Sequence, residues 1–413
     1  MKKLLISLFT ISALVACHKD NADNDNDKIK ADRTVLIYVS GENSLYDFID
    51  EELGEMATGT MTIGDNNLLV YVDRGSSSEI PWLARIKEGE ISDSVSIADM
   101  SISTKDEYAS DPKVMEAVIR YAFNKFPSKN SDYGLVLWGH ASGWLIQDSI
   151  PANYMARKKA YGVDNGSNTS SDTGKWLNIP MMAKMLSKLP HLTFIFADCC
   201  NFMCLESAYE LRNVTDYIIG SPAEIPGVGA PYNTVVPAMF EKTTFHTSIV
   251  DRYYAQHDGG YDVPLSVIKT SEMDNMASAT RSILLATRDK FGDDYPDMQG
   301  IIHYYNPSWS FRPENSVFYD ADNFFLKYAS EADYAPWKQA LDHVVIYKKK
   351  ATEWMTNRRW STHYADFTVT DENYGGVSMF IPQSPFNGDY SEYNKNIKKM
   401  AWYYAAGYSD IGW

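Results

Sequence analysis

The chain has 413 residues, 45% hydrophobic and 22% charged, which describes a globular protein and excludes a disordered one. That length accommodates one large α/β domain, or a core domain with an appended subdomain. A formal net charge of −16 repels polyanions and argues against nucleic acid as a partner.

The N-terminus reads as an export signal. Met1-Lys2-Lys3 is basic, and Leu4 to Val15 is an apolar run of signal-peptide length, too short for a spanning helix. Leu14-Val15-Ala16-Cys17 resembles the bacterial lipobox, which implies a signal peptide over residues 1–16 and acylation of Cys17. An ordinary secretory signal with an incidental cysteine is the alternative. Residues 17–32 are polar and acidic, with Asn-Asp repeats, and read as a flexible tether. An acidic run behind a lipidated cysteine also resembles the surface-export signal of bacterial surface lipoproteins. The expected location is therefore a membrane anchor; the surface-export resemblance implies the outer membrane and cell surface, while the sequence itself does not show which membrane face the tether leaves exposed. The folded domain is expected over residues 33–413, with a small helical C-terminal subdomain.

Thr34 to Val39 is apolar on both faces, as a central parallel strand requires. The segment Leu45 to Met56 has helical spacing and several acids. Leu68 to Val72 repeats the strand pattern. Pro81 to Thr104 reads as short antiparallel strands, with Gly89 in a turn. Asp111-Pro112 supplies an N-cap and a first-turn proline for a helix carrying Val114, Met115, Val118 and Ala122 on one stripe. A strand then runs to Trp138-Gly139-His140. Gln147 to Gly174 is polar and reads as a long exposed loop containing Arg157-Lys158-Lys159. Leu177 to Leu189 is expected to be helical. The strand Leu192 to Ala197 leads into Asp198-Cys199-Cys200, followed by helical spacing from Phe202 to Leu211. Asp216 to Gly220 is another strand, and the Pro- and Gly-rich run Ser221 to Gly229 follows it as a loop fit to wall a cleft. Later signals are coarser: a strand at Val263 to Ile268, helices at Met276 to Phe291 and Pro336 to Trp354, a strand at Val377 to Ile381, and an aromatic tail from Trp402 to Trp413. This order predicts an α/β three-layer sandwich with a mostly parallel central sheet, whose sites lie at the carboxyl ends of strands.

Beyond Cys17 the cysteines are Cys199, Cys200 and Cys204, crowded into one short stretch. Three is odd, and no second Cys/His cluster at ligand spacing accompanies them, so neither a disulfide framework nor a zinc site fits. Catalysis or plain burial remain. A nucleophilic reading puts Cys200 at or just before a helix N-terminus, where the thiolate is favoured. His140, at a neighbouring strand end, is then its acid/base partner. The backbone N–H groups of Ala141 and Cys200 are the candidate oxyanion donors. A buried cysteine or a structural histidine is the plainer reading of each residue alone. Asp198 is either a satisfied buried carboxylate or a receptor for a basic side chain. The dyad chemistry calls for no metal or organic cofactor.

Two motifs carry a resemblance to the clostripain family of cysteine peptidases, which share the caspase-like fold. Leu135-Val136-Leu137-Trp138-Gly139-His140-Ala141-Ser142-Gly143-Trp144 is similar to the family's LxLWxHGGGW. Ala197-Asp198-Cys199-Cys200, with Ala208-Tyr209-Glu210-Leu211 after it, is similar to its FDAC…AYEL. In that register Cys200 is the nucleophile, His140 the general acid/base and Cys199 a packing residue. The resemblance implies cleavage of a peptide or protein substrate after Arg or Lys, with Asp198 in the specificity pocket. It also implies self-cleavage between His140 and Cys200, where Arg157, Lys158 and Lys159 stand. Some members depend on calcium, so calcium stays open, and no site for it follows from spacing. Two departures stand out. The family's EPGDGWPY aligns with Ile225-Pro226-Gly227-Val228-Gly229-Ala230-Pro231-Tyr232, so Val228 replaces the second pocket Asp and Ala230 a Trp. The glycines after the histidine become Ala141 and Ser142.

The expectation is thus an exported, lipid-anchored cysteine endopeptidase. The alternative is an inactive relative that binds peptide or glycan at the cell surface. A transpeptidase or amidase on the same dyad is a third reading.

Overall fold

The structure, a computed structural model, describes residues 30–74, 80–146, 160–166, 174–256, 263–291, 295–305, 316–354, 367–387 and 392–413. The elements run β1 (Thr34–Gly41), α1 (Ile49–Gly59), β2 (Asn67–Arg74), β3 (Trp82–Lys87), β4 (Glu90–Ser96), α2 (Pro112–Lys125), β5 (Tyr133–Trp138), β6 (Tyr161–Asp164) and β7 (Lys175–Leu177). They continue with α3 (Ile179–Leu186), β8 (Leu192–Asp198), α4 (Leu205–Leu211), β9 (Thr215–Gly220), α5 (Tyr232–Met239), α6 (Phe245–Gln256), β10 (Leu265–Lys269) and α7 (Met273–Thr287). The last are β11 (Tyr319–Asp320), α8 (Ala321–Tyr328), α9 (Glu331–Val344), β12 (Val345–Lys349), β13 (Ser378–Met379) and two short C-terminal helices, α10 (Tyr393–Asn396) and α11 (Ala401–Ala405).

Among the described residues nine strands form one sheet, in the order β12-β10-β9-β8-β5-β1-β2-β3-β4. The five central strands, β9 to β2, are parallel. Two antiparallel strands close each edge. At one edge the β3–β4 turn consists of Glu88 and Gly89, both at positive φ (51° and 85°). That is the two-residue hairpin geometry matching the twist of the strands.

The strands alternate between two apolar cores. Leu36 and Tyr38, Leu135 and Leu137, and Ile195 and Ala197 face one layer, with α2, α3, α4 and the C-terminal helices. Val35, Ile37 and Val39, Val136 and Trp138, and Phe194 and Phe196 face the other, with α1, α5 and α6. Burial on both faces is why these strands read as unbroken apolar runs. Helix α2 starts as its sequence dictates, with the Asp111 carboxylate accepting from Lys113 N–H at 2.8 Å and Pro112 in the first turn. The aromatic tail joins the first core: Trp402 packs edge-on to Tyr209, and Tyr408 Oη donates to Phe380 O at 2.7 Å.

Four expectations need correction. The polar stretch 147–174 is not a loop throughout, because β6 is buried within it and pairs with β7. Gly162 and Asp164 make this stretch read as polar, yet all four residues of β6 are buried, with Asp164 accepting from Ala109 and Gly166 N–H. The helix expected over Pro336 to Trp354 ends at Val344, and β12 takes over to extend the main sheet. The Val377 to Ile381 strand pairs through only two residues. The helix after Cys200 starts at Leu205 rather than Phe202. Asn201 is left-handed (φ 54°), and Asn201 and Met203 N–H bond to Ala223 O and Ser221 O, which holds the chain out of helix there.

Candidate active site

The candidate site lies at the carboxyl ends of the parallel strands. In the β5–β8 register Trp138 pairs with Asp198. His140 and Cys200 each follow two residues beyond that pair, so neighbouring strands deliver the imidazole and the thiol to the same edge of the sheet. Both side chains are partly exposed, whereas Cys199 and Cys204 are buried. Burial pushes the Cys199 and Cys204 thiols up, away from the reactive thiolate form.

Backbone geometry explains the sequence around His140. Gly139 has φ 143°, and a Cβ there would meet Ser40 O at 2.8 Å. Gly143 has φ 53°, and a Cβ would sit 2.5 Å from Asn201 O and 3.1 Å from Cys204 Sγ. The loop after the histidine therefore presses directly on the loop after Cys200. Ala141 and Ser142 have no positive φ, so a side chain at each is tolerated and only the third family glycine is retained. Strand β6 runs beside this loop: Gly162 N–H donates to His140 O at 2.8 Å and Ser142 N–H to Ala160 O at 2.9 Å. The Ala141 N–H lies between these two bonds and takes no part in them. On the other side Ser44 Oγ stands 2.9 Å from His140 Nε2.

Cys200 does not sit at a helix N-terminus, since four residues separate it from α4. The main chain of Ile225 serves the sulfur instead: its N–H points at Cys200 Sγ at 3.5 Å, and the Cys200 thiol donates to Ile225 O at 3.9 Å. The carbonyl favours the thiol and the N–H the thiolate, so the N–H supports the sulfur once its proton has moved to the imidazole.

Asp198 is buried and holds three hydrogen bonds. Its carboxylate accepts from Ala230 N–H at 3.0 Å, Tyr232 Oη at 2.9 Å and Tyr253 Oη at 3.3 Å. Burial raises its pKa to about 6 against these stabilising bonds. It thus anchors the 225–231 loop, and of the four acceptor positions of a carboxylate one is left over. Val228, on the same loop, is exposed.

A second buried acid, which the sequence reading missed, stands beside Asp198. A Cβ on Gly229 would lie 2.7 Å from Asp198 Oδ2 and 3.4 Å from Glu52 Oε1. The other Glu52 oxygen is buried without a partner among the described residues. Burial, and then the charge of Asp198, push Glu52 up to about 10. A signal did exist. In α1, Ile49, Leu53 and Met56 are buried, and Glu52 falls on their stripe, where an acid is out of place. Cys17, Arg157, Lys158 and Lys159 lie outside the described residues.

The clostripain family model matches residues 37–413. A secreted C11 cysteine protease from Bacteroides thetaiotaomicron, solved with an irreversible peptide inhibitor, is 31% identical with a TM-score of 0.72, covering 92% of this chain and 100% of that one. An inactive zymogen of a C11 protease from Parabacteroides distasonis is 27% identical with a TM-score of 0.71, covering 91% and 98%. No curated protein matches the chain. No helix among the described residues is long and apolar enough to cross a membrane. The family model over residues 37–413 and these likenesses across nearly the whole chain lead to one assignment: the chain belongs to the clostripain family and is a cysteine peptidase of caspase-like α/β fold.

Proposed function

We propose that this peptidase is an exported, lipid-anchored endopeptidase that uses a Cys200/His140 dyad and cleaves after Lys or Arg. The observation that carries the reading is the shared strand-end position of His140 and Cys200, with Gly143 packed against Asn201.

The Cys200 thiolate, favoured by Ile225 N–H, attacks the scissile carbonyl carbon. The carbonyl electron pair moves onto oxygen, and the Ala141 and Cys200 N–H groups hold the oxyanion. Collapse expels the amine, which takes its proton from the His140 imidazolium, leaving a thioester. Neutral His140 then deprotonates water, the hydroxide attacks the thioester, and departure of the product acid restores thiolate and imidazolium. The buried Asp198, charged above about pH 6, favours a cationic residue before the cut. In an acidic pocket a Lys or Arg gains charge-assisted pairing that a neutral residue cannot. The basic run Arg157-Lys158-Lys159 is the self-processing segment, and Cys17 carries the lipid.

A mixed peptide library offered to the purified protein tests this directly. Cuts that consistently follow Lys or Arg, and vanish with Cys200→Ala, are expected. Binding without turnover would instead favour the inactive relative. Replacing Arg157, Lys158 and Lys159 together by Gln should leave the chain uncut during maturation. Cys17→Ser should move the protein from the membrane to the soluble fraction.

A further inference from the structure

We propose that the peptidase selects substrates with a large apolar side chain shortly before the cut, received by a patch of Leu45, Phe48 and Val228 beside the dyad. The inference rests on the Cys200/His140 reading of the site. It adds a second determinant of specificity to the cationic residue favoured by Asp198.

Two segments build the patch. Residues 44–48 lie between β1 and α1, and Ser44 Oγ meets His140 Nε2 at 2.9 Å. Residues 221–231 lie between β9 and α5, and the main chain of Ile225 meets Cys200 Sγ through both its N–H and its carbonyl. Each segment therefore touches one member of the dyad. The segments also touch each other. A Cβ on Gly227 would lie 3.0 Å from the Phe48 ring and 3.4 Å from Leu45 Cδ2, so a glycine lets the main chain come down on both side chains without displacing the ring.

The layer so formed is apolar and reaches solvent at the nucleophile. Leu45, Phe48 and Cys200 are partly exposed and pack on the same apolar core as the buried Ile225. Val228, next to Gly227, is 50% exposed. A single exposed valine needs no explanation, but this one extends an apolar layer outward from the reacting sulfur. Where the family pattern has an acid, Val228 makes the rim apolar, so the departure changes what is selected as well as removing a charge. Apolar surface gains when another apolar group covers it and releases its water. The occupant is the substrate, because the acyl half stays bonded to the Cys200 sulfur in the thioester, which brings the residues before the cut over this layer. The chain's own basic segment has that composition: Tyr154 and Met155 stand shortly before Arg157-Lys158-Lys159.

The test measures kcat/KM of the purified full chain on peptides that share one Lys before the cut and carry Leu, Phe, Ser or Asp at the second or third residue before it. At one of these two positions Leu or Phe should exceed Ser by at least about tenfold, the scale of burying one apolar side chain, and Asp should fall below Ser. Val228→Asp, at a half-exposed position that folding does not depend on, should bring the ratio of Leu to Ser close to one, and Val228→Ile should keep it. Leu45→Ser should lower the same ratio. A parallel set that varies only the residue before the cut among Lys, Arg and Leu reads the cationic preference by itself, so either preference can fail while the other stands. If no peptide is cut, competition for binding to the Cys200→Ala chain reads the same ratio of Leu to Ser. The proposal is overturned if the parent prefers neither Leu nor Phe over Ser at both positions, if the apolar preference lies only after the cut, or if Val228→Asp keeps the parent's ratio.

Discussion

Ser44 Oγ and His140 Nε2 stand 2.9 Å apart, so the serine sets the rotation of the imidazole and reserves one of its two nitrogens. When the ring is protonated, Nε2–H can only donate, and Ser44 Oγ is its acceptor. Ser44 is therefore a positioning residue that favours the imidazolium. Ser44→Ala removes a bond of about 1 to 1.5 kcal/mol, which converts to a roughly tenfold fall in kcat with little change in KM. The imidazolium becomes less favoured, so the alkaline limb of the kcat profile should move to lower pH. Rate profiles of the variant and of Ser44→Thr check this. A merely structural serine would lower the active fraction without moving the limb.

The paired cysteines separate by burial. Cys200 is partly exposed with Ile225 N–H at its sulfur, while Cys199 is 1% exposed with its thiol pushed up. Cys200→Ala should remove activity by several orders of magnitude and abolish labelling by thiol-directed peptide inhibitors. Cys199→Ala should keep both and cost about 1 kcal/mol in urea unfolding, from a lost buried sulfur. Labelled-protein mass spectrometry and denaturation curves distinguish the two residues.

Gly143 couples the histidine loop to the cysteine loop, and its substitution should damage both. An alanine there must hold φ 53° and would bring Cβ to 2.5 Å from Asn201 O, a backbone atom that cannot swing away. Gly143→Ala is expected to cost about 2–4 kcal/mol and to lower kcat by at least tenfold in the fraction that stays folded. Ala141→Gly, at a position without positive φ, should cost well under 1 kcal/mol. Urea curves together with active-site titration measure the two effects separately.

Much of this arrangement was legible in the chain because it follows from short-range pattern. Strands apolar on both faces gave the parallel sheet, and strand ends gave His140 and Cys200. What escaped depends on contacts across long sequence separation. Cys200 was expected at a helix start, yet Asn201 and Met203 bond to Ala223 and Ser221 and delay the helix to Leu205. The donor at the sulfur is the main chain of Ile225, and a backbone N–H leaves no mark in a sequence. Glu52 comes from a separate element that only the fold brings beside Asp198. The buried β6 was hidden because its short sequence, Tyr161 to Asp164, carries a glycine and an acid.

Selectivity before the cut should depend on pH through Asp198, whose pKa burial raises to about 6. Above that pH the carboxylate is charged and favours a Lys or Arg. Below it the group is neutral and the preference weakens. The ratio of kcat/KM for a Lys substrate to that for a Leu substrate cancels the titration of the dyad. This ratio should rise with pH through about 6 in the parent and lie flat and lower in Asp198→Asn. Glu52→Gln keeps the neutral state that burial gives Glu52 at pH 7 and should leave the same ratio unchanged at that pH. An undiminished ratio in Asp198→Asn would remove this acid from the pocket.

Glu52 also leaves a signature in stability that needs no substrate. Its ordinary pKa of 4.5 holds in the unfolded chain, whereas burial and the Asp198 charge raise it to about 10 in the fold. Between those values the unfolded chain has released this proton and the folded one retains it, so unfolding releases a proton and stability falls as pH rises. The contribution is fully present below about pH 4.5 and is lost progressively toward pH 10. It reaches a slope of about 1.4 kcal/mol per pH unit at most. Glu52→Gln keeps the shape and the neutral state but cannot titrate. Urea unfolding from pH 5 to 9 should therefore show a shallower decline in the variant, with the two proteins closest in stability at pH 5 and the variant ahead at pH 9. Parallel curves would mean that Glu52 is ionised in the fold and exposed to solvent or a cation.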